Sequence, residues 1–168
     1  INGKISNYNS NILINKSILE KSINHYLKIW PKQTTVPSHG DLTLDNIIVQ
    51  NNQIIFFDWE HFNPVGEIWG FDLVYLVLSA ISLPNYNNDK IPKRELDIFC
   101  YFWKKLLNLG INKDLIYDPF NYFNRIFINS KFWSDIIDFS PKKMFPLVLN
   151  DGLKKQIVVG INNKVINV

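Results

Sequence analysis

Between Val36 and Glu60 the chain reads Val-Pro-Ser-His-Gly-Asp-Leu-Thr-Leu-Asp-Asn, then two short apolar runs split by Asn51-Asn52, then Asp58-Trp59-Glu60. This stretch leaves the backbone few choices. Val36 precedes a proline, so Val36-Pro37-Ser38 is extended. Gly40 permits a tight backbone between His39 and Asp41. Ile47-Ile48-Val49 is β-branched and reads as a strand. Asn tolerates left-handed geometry, so Asn51-Asn52 reads as a turn, and Ile54 to Phe57 as the returning strand. The result is a β-hairpin with Asp41 and Asn46 before its first strand and Asp58 just after its second. Both ends of a hairpin lie at one edge, so the three side chains can converge although Asn46 and Asp58 are 12 positions apart.

An Asp, an Asn and a second Asp at loop and strand-end positions suit phosphoryl transfer, which asks a protein for positioning and charge neutralisation. One carboxylate, Asp41, orients an attacking hydroxyl and takes its proton. A neutral carbonyl oxygen from Asn46 and a charged one from Asp58 hold a divalent metal. Mg²⁺ accepts one or two carboxylates and leaves its other positions to water and nucleotide phosphates.

The motifs resemble those of the aminoglycoside phosphotransferase and choline kinase group of small-molecule kinases, which share the protein-kinase fold. The resemblance rests on His39, Gly40, Asp41 and Asn46, on Asp58-Trp59-Glu60, and on Gly70-Phe71-Asp72-Leu73, and spans about residues 36 to 83. The step from Asp41 to Asn46 is also that of H-R-D-x-x-x-x-N in protein kinases. By this resemblance Asp41 is the catalytic base, and Asn46 and Asp58 are Mg²⁺ ligands beside ATP. His39 is a structural residue of the catalytic loop, and Asp72 braces that loop from the start of the next helix. The acceptor is a small-molecule hydroxyl of choline, amino alcohol, sugar or aminoglycoside type. Trp59 and Glu60 are candidate substrate contacts, and Trp59, Phe62 and Trp69 together are candidates for an aromatic wall facing a quaternary ammonium group. Ordinary core packing is the competing reading of those rings and a helix-dipole acid that of Asp72; Glu67 is expected to face water, with contact to a cationic substrate as its alternative.

The fold class expected is α+β and mostly helical: a hairpin set among helices, as in the C-terminal lobe of a protein-kinase-like fold. Apolar residues at helical spacing mark Lys16 to Trp30, ended by Pro31. Leu73 to Leu83 reads as a buried helix. Arg94 to Leu109 carries Ile98, Phe102, Leu106 and Leu109 on one face, with Gly110 as C-cap. Phe120 to Phe139 and, more weakly, Leu147 to Val158 complete the helices, between a polar linker at residues 1–15 and a frayed tail. Asn85 to Pro92 reads as a polar loop. No repeat or internal boundary divides residues 1–168. Nothing before His39 reads G-x-G-x-x-G, the chain opens on Ile1, and its one methionine is Met144. The expectation is therefore a helical lobe belonging to a longer chain, with the nucleotide-gripping N-terminal lobe absent.

Composition narrows the partners. A net charge of +3 with scattered Lys and Arg offers no nucleic-acid footprint. His25 and His61 lack partners at zinc-ligand spacing. The single Cys100, in an apolar helical run, reads as buried and inert, and suits a reducing, cytoplasmic setting. No apolar stretch is long enough to span a bilayer, and the oligomeric state is not legible. A non-catalytic kinase-like module that binds a nucleotide or a partner is the alternative function. A protein kinase is disfavoured by Gly40 where those enzymes carry Arg, and by the short interval from Asp58 to Asp72.

Overall fold

Asn15 opens helix α1 (Lys16–Ile29) by accepting the Ile18 N–H on its side-chain oxygen at 3.1 Å. Pro31, which cannot continue a helix, follows its end. In the computed structural model, which describes residues 15–82, 86, 90–123 and 151–166, α1 is followed by two small antiparallel sheets and a set of helices. The first sheet pairs β1 (Thr35–Ser38) with β4 (Asn63–Ile68), and the second pairs β2 (Ile47–Gln50) with β3 (Gln53–Phe56). The hairpin expected from sequence is therefore present, with Ile47 opposite Phe56 and Gln50 opposite Gln53. Its turn residues Asn51 and Asn52 both have positive φ, 48° and 63°. That is the I′-type geometry that matches strand twist.

Strand β4 was not foreseen. Its Asn-Pro-Val-Gly-Glu-Ile has little β-propensity, and it forms by pairing with β1, Thr35 opposite Ile68 and Val36 opposite Glu67. The register is irregular between Val36 and Ser38, around Pro37, which has no N–H to give the ladder.

The core is organised around α2 (Phe71–Ser82), where every residue from Phe71 to Ile81 is buried. A helix apolar on all sides is a central one. On one side α1 packs with Leu19, Ile23 and Tyr26; on another lies α3 (Lys93–Asn108) with Phe99, Phe102, Trp103 and Leu106. Of the α3 face expected from sequence, Phe102 and Leu106 are fully buried, and Ile98 and Leu109 partly so. Gly110 follows α3 at φ 72° and donates its N–H to Leu107 O at 3.0 Å. Cys100 is buried, and burial pushes its thiol up. A short helix α4 (Lys113–Tyr117) is held by Trp103, whose indole N–H reaches Ile116 O at 3.1 Å.

Helix α5 (Asp151–Ile161) overlaps the segment expected to be weakly helical and runs three residues past its expected end at Val158. The tail, expected to fray, instead continues as a π-helical turn at Asn162–Ile166. Val165 is buried and Lys164 pairs with Asp97 of α3, so packing holds the turn. Residues 119–123 are helical; the rest of the helix expected to Phe139, and residues 1–14 of the linker expected at 1–15, lie outside the described residues. Among the described residues no helix is long and apolar enough to cross a membrane.

Candidate active site

The loop from His39 to Thr43 leaves β1, and a 3-10 turn at Leu44–Asn46 leads into β2. Leu42 is fully buried and anchors the loop, while Asp41 is only half-buried. Asn46 donates its amide to Asp41 twice, to the backbone O at 2.8 Å and to Oδ2 at 3.2 Å. Both partners only accept, so the nitrogen must face Asp41 and the carbonyl Oδ1 is the end left to act as an oxygen donor. Tyr75 of α2 donates its hydroxyl to Asp41 Oδ1 at 2.9 Å. Burial pushes the Asp41 carboxyl up, and the Tyr75 hydroxyl, the imidazoles of His61 and His39, and the Asn46 amide pull it back down.

Asp58 follows β3 and is exposed. Its backbone is left-handed, φ 64° and ψ 62°, at the start of a 3-10 turn over Trp59–His61. Asp is among the few non-glycine residues that reach this region. Two bonds of the preceding residue tie Asp58 to the loop. Phe57 donates its N–H to Asn46 O at 3.1 Å, and its carbonyl lies 2.8 Å from His39 Nε2. A carbonyl only accepts, so His39 Nε2 carries the proton. Burial holds the His39 pKa below its usual value. With Nε2 committed, His39 tethers the loop to the strand end, its ring 4.5 Å from that of Trp59.

Asp72, in the first turn of α2, is completely buried. It accepts the His39 N–H on Oδ2 at 2.8 Å and the Gly40 N–H on Oδ1 at 3.1 Å. The geometry is that of a brace, and the helix start contributes as well. Burial raises its carboxyl from 3.8 to about 7 against those two N–H groups, with Glu67 and Asp41 adding repulsion; Tyr26 and Tyr75 also lie within its field. A raised carboxyl keeps in the native state a proton that the unfolded chain releases near 3.8. Its stabilising contribution is thus full below that pH and is lost as pH rises to about 7. The melting temperature of wild type relative to Asp72→Asn is expected to fall from pH 4 to pH 7, read by circular dichroism; a gap that stays constant would refute the assignment.

The structure separates the three aromatics considered for one wall. Trp69 is buried and donates its indole N–H to Trp30 O at 2.9 Å, so it belongs to the core. Trp59 and Phe62 remain together near the surface, ring centroids 5.7 Å apart and each 39% exposed. Glu60 is exposed, its Oε1 3.3 Å from His61 Nε2. Glu67, expected to face water, is instead half-buried on β4, and burial pushes its carboxyl up.

Tyr75 escaped the sequence reading, and His61 was weighed there only as a zinc ligand. Tyr75 left one signal: a lone phenol in an otherwise aliphatic run, and a buried phenol needs a partner. His61 left no sign of its place, where its backbone carbonyl closes over Gly40 and its imidazole lowers the Asp41 carboxyl.

The donor set suits Mg²⁺. Asn46 would supply an amide oxygen and Asp58 a carboxylate, a set that leaves the remaining positions of the ion to phosphates and water. Among the described residues no three His, Cys, Asp or Glu side chains cluster as a self-sufficient metal site.

The chain is similar to Protein LicA homolog of Metamycoplasma hominis, with 31% identity over 137 residues, 73% of this chain and 51% of that protein. It thus spans about half the length of this curated relative. No family model matches the chain, and no solved structure matches it.

Proposed function

We propose that these residues are the helical lobe of an ATP-dependent small-molecule kinase that phosphorylates a hydroxyl of choline, amino alcohol, sugar or aminoglycoside type. The observation that carries the reading is the Asp41–Asn46 pair, with the asparagine amide turned onto the aspartate and its carbonyl left for a metal. Asp58 lies one residue from the Phe57 bonds to the same loop. Two likenesses support it: the motifs of residues 36 to 83, and the similarity to Protein LicA homolog.

In this reading Asp41 takes the proton of the acceptor hydroxyl as the hydroxyl oxygen bonds to the γ-phosphorus and the bond to the ADP oxygen breaks. Asn46 and Asp58 would hold Mg²⁺, which when bound offsets phosphate charge. His39 and Asp72 hold the loop in register.

The test is ADP release by the full-length protein over a panel of choline, ethanolamine, hexoses and aminoglycosides, with ATP and either MgCl₂ or EDTA. Turnover is expected only with Mg²⁺. Asp58→Ala should lower it about a hundredfold or more and shift the Mg²⁺ dependence to higher concentration. Undiminished turnover in that variant would remove Asp58 from the metal, and nucleotide binding without turnover on any acceptor would favour a binding module.

A further inference from the structure

We infer that Tyr75 is the positioning residue of Asp41, fixing the orientation of its carboxylate through one buried hydroxyl; the inference rests on Asp41 being the base of the proposed transfer. The torsion that orients a carboxylate is soft and broad. Asp41 has each of its oxygens engaged, Oδ1 by the Tyr75 hydroxyl at 2.9 Å and Oδ2 by the Asn46 amide at 3.2 Å. Two donors on opposite oxygens stop the rotation, and lone pairs remain on both for an incoming hydroxyl.

The donor is itself immobile. Tyr75 is 2% exposed, and its ring meets Phe123 edge-on at 5.7 Å between centroids. It stands three positions after Asp72, and residues so spaced share a helix face. One face of α2 therefore grips three consecutive loop residues: Asp72 takes the N–H groups of His39 and Gly40, and Tyr75 holds the side chain of Asp41. A phenylalanine would fill the same volume, so the hydroxyl is the part whose role is in question. The orienting bond reaches the carboxylate from the core side.

Two measurements on the full-length protein test this. Without ligands, proton NMR should show a slowly exchanging hydroxyl proton that is lost in Tyr75→Phe and moves upfield in Asp41→Asn. A signal absent from wild type, or unmoved in Asp41→Asn, would overturn the contact. In turnover, Tyr75→Phe should lower kcat about tenfold to a hundredfold with KM for both substrates little changed. The same substitution in an Asp41→Asn background should cost nothing further. Equal losses in both backgrounds would make Tyr75 merely structural. An inactive wild type would count against phosphoryl transfer itself and leave the hydroxyl signal to decide the Tyr75–Asp41 contact.

Discussion

Asp41→Asn is expected to lower kcat of the full-length protein about a thousandfold, within the span that general-base removal costs. The substitution keeps the shape and removes the proton acceptor. The local network survives it: the Tyr75 hydroxyl can turn to accept from the new amide, and Asn46 can donate to the amide oxygen. The melting temperature should therefore move by only about 2 °C, and KM for the nucleotide should change little. A kcat within about tenfold of wild type would remove Asp41 from the role of base, because positioning alone would then account for the rate.

Gly40→Ala should have the largest effect on stability. Gly40 sits at φ 85°, where a Cβ costs roughly 1–2 kcal/mol in backbone energy alone. That Cβ would also meet the His61 backbone oxygen at 2.2 Å and its Cβ at 3.0 Å. A backbone atom cannot swing aside as a side chain does. Either the Trp59–His61 turn moves, with Asp58 at its start, or the loop moves and strains the Gly40 N–H bond to Asp72. A loss on the order of 3 kcal/mol follows, which for a chain of this size lowers the melting temperature by about 6–12 °C. Turnover should fall as well, since both routes displace a site residue. A melting temperature within about 2 °C of wild type would mean that the turn and the loop are not in the close contact described.

Much of the candidate site was legible because its chemistry is local in sequence. Asp41 and Asn46 are five positions apart, and a loop followed by a β-branched strand suffices to bring them together. The hairpin that Asp58 follows was legible too, since its turn announces itself in Asn51-Asn52. Helix α2 announced itself by continuous apolarity, and α1 by its period and the proline after it. Trp59, Phe62 and Trp69 were beyond reach, since an indole reads alike in a core or on a surface. Trp69 is buried with its indole N–H on the carbonyl of Trp30, 39 positions away.

Local propensity and spacing thus determined the hairpin and helices α1, α2 and α3. Tertiary structure decided how the site oxygens are held. Asp72 and Tyr75 act on residues 32 to 34 positions earlier, β4 exists only by pairing with β1, and the tail turn stays folded because Val165 found the core. Val165 is held by apolar burial; for Asp72, Tyr75 and β4 the physical reason is a shared one. A buried polar group must find its partner wherever the packed chain places one, and one sequence states the need without naming the partner.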